Sequence, residues 1–191
     1  ESEAASAAAN ALANLACSNA ANKAAITEAG AIPPLVALLS GGPDSEAAKN
    51  AAVALRNLAC DDEGEAAIIE AGAVPPLVAL LSGGPESEAA QRAAGALRNL
   101  TSSDANKAAI IRAGAIPLLM ALLSGGRESK TASEAAIVLA NLATTKRRRR
   151  SEHRHHRGGC RPAACGAVEW WARVAGSGQC GWGVAQPGAW H

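Results

Sequence analysis

Side chains able to do acid, base or metal chemistry are placed unevenly along the 191-residue chain. The first 145 residues contain no histidine, so the common general base is missing there. No HExxH, P-loop or nucleophile-elbow sequence occurs. Cys17 and Cys60 each end an apolar stretch reading "LAC", which suits small apolar residues. His153, His155, His156, Cys160 and Cys165 gather possible metal ligands, but HxHH followed by Cx4C is no usual zinc spacing. No enzyme, metal or cofactor is therefore expected. Just upstream, Lys146, Arg147, Arg148, Arg149 and Arg150 form an unbroken run of cations. Such a run could serve nuclear import or bind nucleic acid. Trp170 and Trp171 stand well away from it, so the nucleic-acid reading is not favoured. One further polar series is regular: Asn14, Asn57, Asn99 and Asn141, at intervals of 43, 42 and 42 residues.

That interval belongs to the whole chain up to about residue 145. "GAIPPLVALLSGG" at Gly30 returns as "GAVPPLVALLSGG" at Gly72 and "GAIPLLMALLSGG" at Gly114, 42 residues apart each time. Residues 30–71 and 72–113 agree at 30 of 42 positions. The Asn-bearing segment repeats as well, as "ANALANLA", "AVALRNLA", "AGALRNLT" and "AIVLANLA". A period of this length is the mark of a stacked repeat array.

Each unit reads locally as three helices. Residues 22–30 suit a short helix stopped by Gly30, which can take the left-handed conformation at a helix end. Pro33 and Pro34 fit the first turn of a second helix, where a missing N–H costs nothing. That helix should turn Leu35, Val36, Leu38 and Leu39 inward, and "SGGP" at residues 40–43 breaks it. Residues 44–59 make a longer third helix with acids in its first turn, where the helix dipole favours them. Ala51, Ala52, Leu55 and Leu58 recur on it at helical spacing and form its buried stripe. There is no Phe or Tyr, and all four Trp lie beyond residue 169, so the core must be aliphatic and small. One unit cannot cover its own apolar faces, so the units must stack into an all-α solenoid with one concave surface lined by the third helices.

"NKAAIxxAGAIPxLVALLxxG…AAxALRNLA" resembles the armadillo repeat, over about residues 1–145, closest in flavour to plant and algal U-box and vacuolar armadillo proteins. A HEAT array has similar periods but two helices per unit and lacks the Gly-x-Ile-Pro turn. The resemblance implies a right-handed superhelix that binds an extended segment of a partner protein along its groove. It places partner-binding carboxamides at Asn14, Asn57, Asn99 and Asn141. An amide offers donors and an acceptor and can read any peptide backbone. The alternative is that each Asn bonds a neighbouring carbonyl near its helix end. Arg56 and Arg98 could pair with acidic partner residues, or be solvated cations favoured by the helix C-terminus. Glu3, Glu46 and Glu88 could face the groove, or simply favour the helix start. Import receptors of the family carry Trp four residues before the Asn. Here Asn10, Val53, Gly95 and Ile137 stand there, so the slots that clamp lysine stems are absent. A ubiquitin-ligase role would need a U-box outside this chain.

The expected organisation is the third helix of a truncated repeat at 1–17, repeats at 18–59, 60–101 and 102–145, and a separate tail at 146–191. Residues 1–145 carry 9 Lys/Arg against 15 Asp/Glu, net −6, whereas residues 146–191 carry 9 against 2, net +7. The tail could dock on the array by charge, or be disordered or appended non-coding sequence. Because the array opens and closes on third helices, a fragment of a longer array is expected. Five cysteines with no paired spacing give no disulfide framework. No uncharged apolar run spans a membrane, and a cytoplasmic or nuclear location is expected. Partners are expected to be proteins rather than small molecules.

Overall fold

A computed structural model describes residues 3–17, 19–126 and 129–144. The basic run Lys146–Arg150 and the whole of 146–191, with its histidines, cysteines and tryptophans, lie outside them. The described residues are helical, with no strand.

The chain enters on α1 (Glu3–Leu15) and then repeats a three-helix unit three times. The first unit holds α2 (Ala20–Glu28), α3 (Ile32–Leu38) and α4 (Glu46–Leu58). The second holds α5 (Asp62–Glu70), α6 (Val74–Leu80) and α7 (Glu88–Asn99). The third holds α8 (Asp104–Arg112), α9 (Ala115–Leu122) and α10 (Lys130–Ala143). A 3-10 turn extends α3, α6 and α9, at Leu39–Gly41, Leu81–Gly83 and Leu123–Gly125.

The corners follow from the repeated glycines and capping side chains. Gly30, Gly72 and Gly114 sit at φ 71°, 72° and 79°, the left-handed position that closes the first helix of each unit. The second helix then leaves sharply, at 84°, 87° and 82° to the first. Gly42, Gly84 and Gly126 hold φ near 85° with ψ near 180°, a region open essentially to glycine alone. Each third helix starts one residue after a serine whose hydroxyl accepts an N–H of the first turn. These caps are Ser45 from Ala48 (3.1 Å), Ser87 from Ala90 (3.3 Å) and Ser129 from Ala132 (3.3 Å).

Three details differ from the sequence expectation. The first helix of the first unit begins at Ala20 because the Asn19 side chain caps it, accepting from Asn22 N at 3.1 Å. The third helix begins at Glu46, not Asp44, because Ser45 takes the cap position and leaves Glu46 as the acid of the first turn. Leu35 and Leu39 are buried, but Val36 and Leu38 are only half-buried. In α6, equally long but packed between units, the equivalent Val78 and Leu80 are both buried, so helix length does not set the difference.

The third helices pack side by side in the order α1, α4, α7, α10, with the first and second helices behind them. Small side chains make this close approach possible. Ala47, Ala48, Ala51, Ala52 and Ala54 of α4 are all buried, as are Ala89, Ala90, Ala93, Ala94 and Ala96 of α7. Leu55, Leu58, Leu77, Leu97 and Leu100 fill the space between layers. One continuous cluster therefore runs from Ala9 to Leu142, and each fully buried leucine contributes roughly 1.5–3 kcal/mol.

Polar contacts join the units on the side of the first helices. Asn22 donates through Nδ2 to Leu15 O at 3.1 Å. At the same register Gly64 lies so close to Leu58 O that an added Cβ would stand 2.1 Å from it. Glu65 is buried, and its carboxylate accepts from Ser102 Oγ and Asn106 Nδ2 of the following unit. Among the described residues, no single helix is long and apolar enough to cross a membrane.

Candidate functional site: the third-helix groove

The regular asparagines occupy one position on successive third helices, and three of them make a bond that joins neighbouring units. Asn57 Nδ2 donates to Ala13 O at 2.9 Å, and Asn99 Nδ2 donates to Arg56 O at 2.9 Å. The accepting carbonyl in each case belongs to the residue before the preceding unit's own Asn. It lies in the last turn of a helix, where carbonyls lack an intrahelical partner. Asn141 reaches the same place through a relay: its Nδ2 donates to Thr101 Oγ1 (2.8 Å), and the Thr101 hydroxyl donates to Arg98 O (2.6 Å). The residue change is visible as "LRNLT" where the earlier units have Ala16 and Ala59. Asn14 is exposed, and its side chain makes no hydrogen bond among the described residues.

Asn57 thus commits one amide N–H to a structural bond, whereas the Asn99 amide nitrogen donates to Arg56 O and also contacts Cys60 Sγ at 3.5 Å. For Asn57 and Asn99, the carboxamide oxygen has no partner among the described residues. The bond also fixes the amide plane, so the oxygens of both residues and the second N–H of Asn57 are held in place in advance. The alternative in which each Asn bonds a neighbouring carbonyl holds at Asn57 and Asn99, the carbonyl being that of the adjacent unit.

The two arginines beside the ladder differ in their surroundings. Arg98 Nη1 reaches both carboxylate oxygens of Glu134 on α10, at 3.2 and 3.0 Å. Its acidic partner therefore lies inside the chain. Arg56, at the same place one unit earlier, makes no side-chain hydrogen bond or ion pair among the described residues. Its stem lies over α7, where an added Cβ on Gly95 would stand 3.1 Å from Arg56 Cδ. Glu88 and Glu46 open their helices and each pairs with a cation one turn on, Glu88 with Arg92 and Glu46 with Lys49.

A concavity of about 410 Å³ runs across α1, α4 and α7. Asn10, Asn14, Asn57 and Arg56 border it together with Val53, Glu88, Gln91 and Arg92. Of the expected site residues, Asn14, Asn57 and Arg56 are thus brought to one cavity. Asn99, Arg98 and Asn141 continue the line on α7 and α10 without bordering it. Lys146, Arg147, Arg148, Arg149 and Arg150 lie outside the described residues. The chain of bonds through Asn50 was not anticipated from the sequence. Asn50 donates to Ser6 Oγ (3.1 Å) and accepts from Arg92 Nη1 (3.0 Å). Its signal was present in the register, since Asn50, Arg92 and Glu134 each stand seven residues before a ladder asparagine. Among the described residues, no cluster of His, Cys, Asp and Glu could hold a metal ion.

Residues 19–60, 61–102 and 103–144 match the family described as Armadillo/beta-catenin-like repeat. Solved structures that resemble the chain include an engineered protein of a structural genomics consortium, 41% identical with a TM-score of 0.66. The match covers 72% of this chain and 56% of that one, and for a second such engineered protein the latter share is 60%. The chain thus spans less than two thirds of the length of these relatives. A designed armadillo repeat protein in complex with the peptide (KR)4 is 30% identical, with a TM-score of 0.69 over 92% of this chain and 75% of that one. Computationally designed armadillo repeat proteins for modular peptide recognition are 35% identical, with a TM-score of 0.65 over 74% of this chain and 59% of theirs. The comparison with curated proteins gives no match.

Proposed function

This chain belongs to the armadillo repeat family, and from that premise we propose that it is a non-enzymatic scaffold binding an extended partner segment along the α1–α4–α7–α10 groove. The observation that carries the reading is the oriented amide ladder. The amide nitrogens of Asn57 and Asn99 are anchored on the preceding unit, so their amide oxygens are ordered before any partner arrives. An ordered carboxamide binds a peptide backbone at lower entropic cost than a free one. An extended strand presents backbone groups that would otherwise lose their water without replacement. Solved relatives of 30–35% identity were designed for, or crystallised with, peptides, which supports the same use of this groove. A ubiquitin-ligase role, and an import or nucleic-acid role for the basic run, draw on no feature of the groove.

The test separates binding from stability by using Asn14, which makes no internal bond. Binders selected from a display library of random twelve-residue peptides are titrated against the native chain, Asn14→Ala and the double variant Asn57→Ala/Asn99→Ala. Both variants should bind several-fold more weakly while keeping their helical circular-dichroism signal. Unchanged affinity in both would overturn the groove assignment.

A further inference from the structure

Resting on the groove reading above, we propose that the stretch of groove between α1 and α7 selects an acidic side chain of the bound segment, and that Arg56 is the residue that reads it.

The charges around the cavity lead to this assignment. Three charged side chains border it: Arg56, Glu88 and Arg92. Glu88 is taken by Arg92, whose other contact is Asn50 Oδ1 at 3.0 Å. One guanidinium, that of Arg56, is left without a counter-charge in a half-buried position. The next unit shows what that position looks like when satisfied, since Arg98 rests against both oxygens of Glu134. The difference is written in the sequence. The residue standing to Arg56 as Glu134 stands to Arg98 is Arg92, another cation. Arg56 therefore cannot be neutralised by the unit beside it, and a second positive charge shares its cavity.

Gly95 completes the arrangement. Its neighbours in register are Val53 and Ile137, so an aliphatic side chain would ordinarily stand here. Its absence lets the Arg56 stem lie on bare helix backbone, with Cδ 3.1 Å from the place a Cβ would take. The head is thus held in the cavity beside the Asn57 amide. A planar guanidinium offers two parallel N–H groups to a carboxylate, a geometry a backbone carbonyl or hydroxyl cannot match. A carboxylate docked there also neutralises the one positive charge left in the cavity once Arg92 is paired with Glu88. A cationic peptide would meet that unpaired charge instead, which disfavours it. This chain should therefore differ in preference from its designed relative crystallised with (KR)4.

Three eight-residue probes of equal length test the proposal by fluorescence anisotropy: alternating Ser/Ala, the same peptide with one central Glu placed at each position in turn, and (KR)4. The native chain should bind the best-placed Glu peptide about fivefold more tightly than the neutral one, and (KR)4 the most weakly. Arg56→Ala should remove that advantage, Arg56→Lys should keep part of it, and Arg98→Ala should leave it nearly intact. Gly95→Ala, which displaces the Arg56 stem without touching its charge, should shrink it. Equal binding of Glu and neutral peptides, with the neutral peptide still sensitive to Asn57→Ala/Asn99→Ala, overturns the role of Arg56 and leaves the groove reading standing. Peptide binding that ignores the asparagines overturns the groove reading, and no binding of any probe overturns both.

Discussion

Alanine substitution along the ladder should produce an unequal stability series, because the four asparagines do unequal structural work. Asn57 and Asn99 each supply an N–H to a helix-terminal carbonyl, at 2.9 Å in both cases. Truncation leaves Ala13 O or Arg56 O without that donor, although Arg56 O retains a weak thiol contact from Cys60 at 3.5 Å. These groups are partly rather than fully buried, so water recovers some of the loss. A net cost of about 1 kcal/mol for each is the appropriate scale, equivalent to a melting-temperature decrease of about 2–4 °C for a domain of this size. Asn141 should cost less, because the Thr101 hydroxyl already satisfies Arg98 O at 2.6 Å and keeps doing so. Asn14→Ala should stay within about 0.5 kcal/mol of the native chain, as an exposed side chain with no internal bond. Urea unfolding followed by circular dichroism measures all four, and the midpoints should fall in the order Asn14, Asn141, then Asn57 and Asn99 together. An effect at Asn14 equal to that at Asn57, or none at Asn57 and Asn99, would refute the argument that these amides join the repeats.

Other sites give sharper responses. Gly64→Ala should destabilise by at least about 2 kcal/mol, since its Cβ would stand 2.1 Å from the Leu58 carbonyl oxygen and only backbone movement can relieve it; the urea midpoint reads this directly. Glu65→Ala should cost about 2 kcal/mol by leaving Ser102 Oγ and Asn106 Nδ2 without their shared acceptor, while Glu65→Gln, which keeps an acceptor oxygen, should recover most of it in the same assay. Gly42→Ala should cost roughly 1–3 kcal/mol, because φ 85° with ψ near 180° is strained for any side chain, detectable as an earlier thermal midpoint. Leu55→Ala, which empties a fully buried position between layers, should cost roughly 2–5 kcal/mol and make unfolding less cooperative.

The repeat made the architecture legible before any coordinates, because each corner depends on a residue with few substitutes. Gly30, Gly72 and Gly114 mark the left-handed corner, and the prolines that follow mark the next helix start. The buried stripe of α4, made of Ala51, Ala52, Leu55 and Leu58, was equally plain from its helical spacing. What the sequence did not disclose was the use made of each polar atom. Asn57 and Asn99 stand 42 residues apart, but that does not say that one N–H is committed to the adjacent unit. The contrast between Arg56 and Arg98 depends on residues 92 and 134, which become neighbours only when third helices pack side by side. Glu65 stands among the acids of the first turn of α5, and only packing against the next unit makes it a buried acceptor. Local signals thus set the helices and corners, whereas cross-repeat partners required the stacking geometry.

The most direct test of the groove is to follow the side-chain amide resonances of the asparagines by NMR while a selected peptide is added. The account predicts that the Nδ2 signals of Asn14, Asn57 and Asn99 shift as the peptide saturates, while those of Asn22 and Asn106, on the first helices, stay fixed. Saturable binding that moves Asn22 and Asn106 and leaves the ladder unmoved would contradict it.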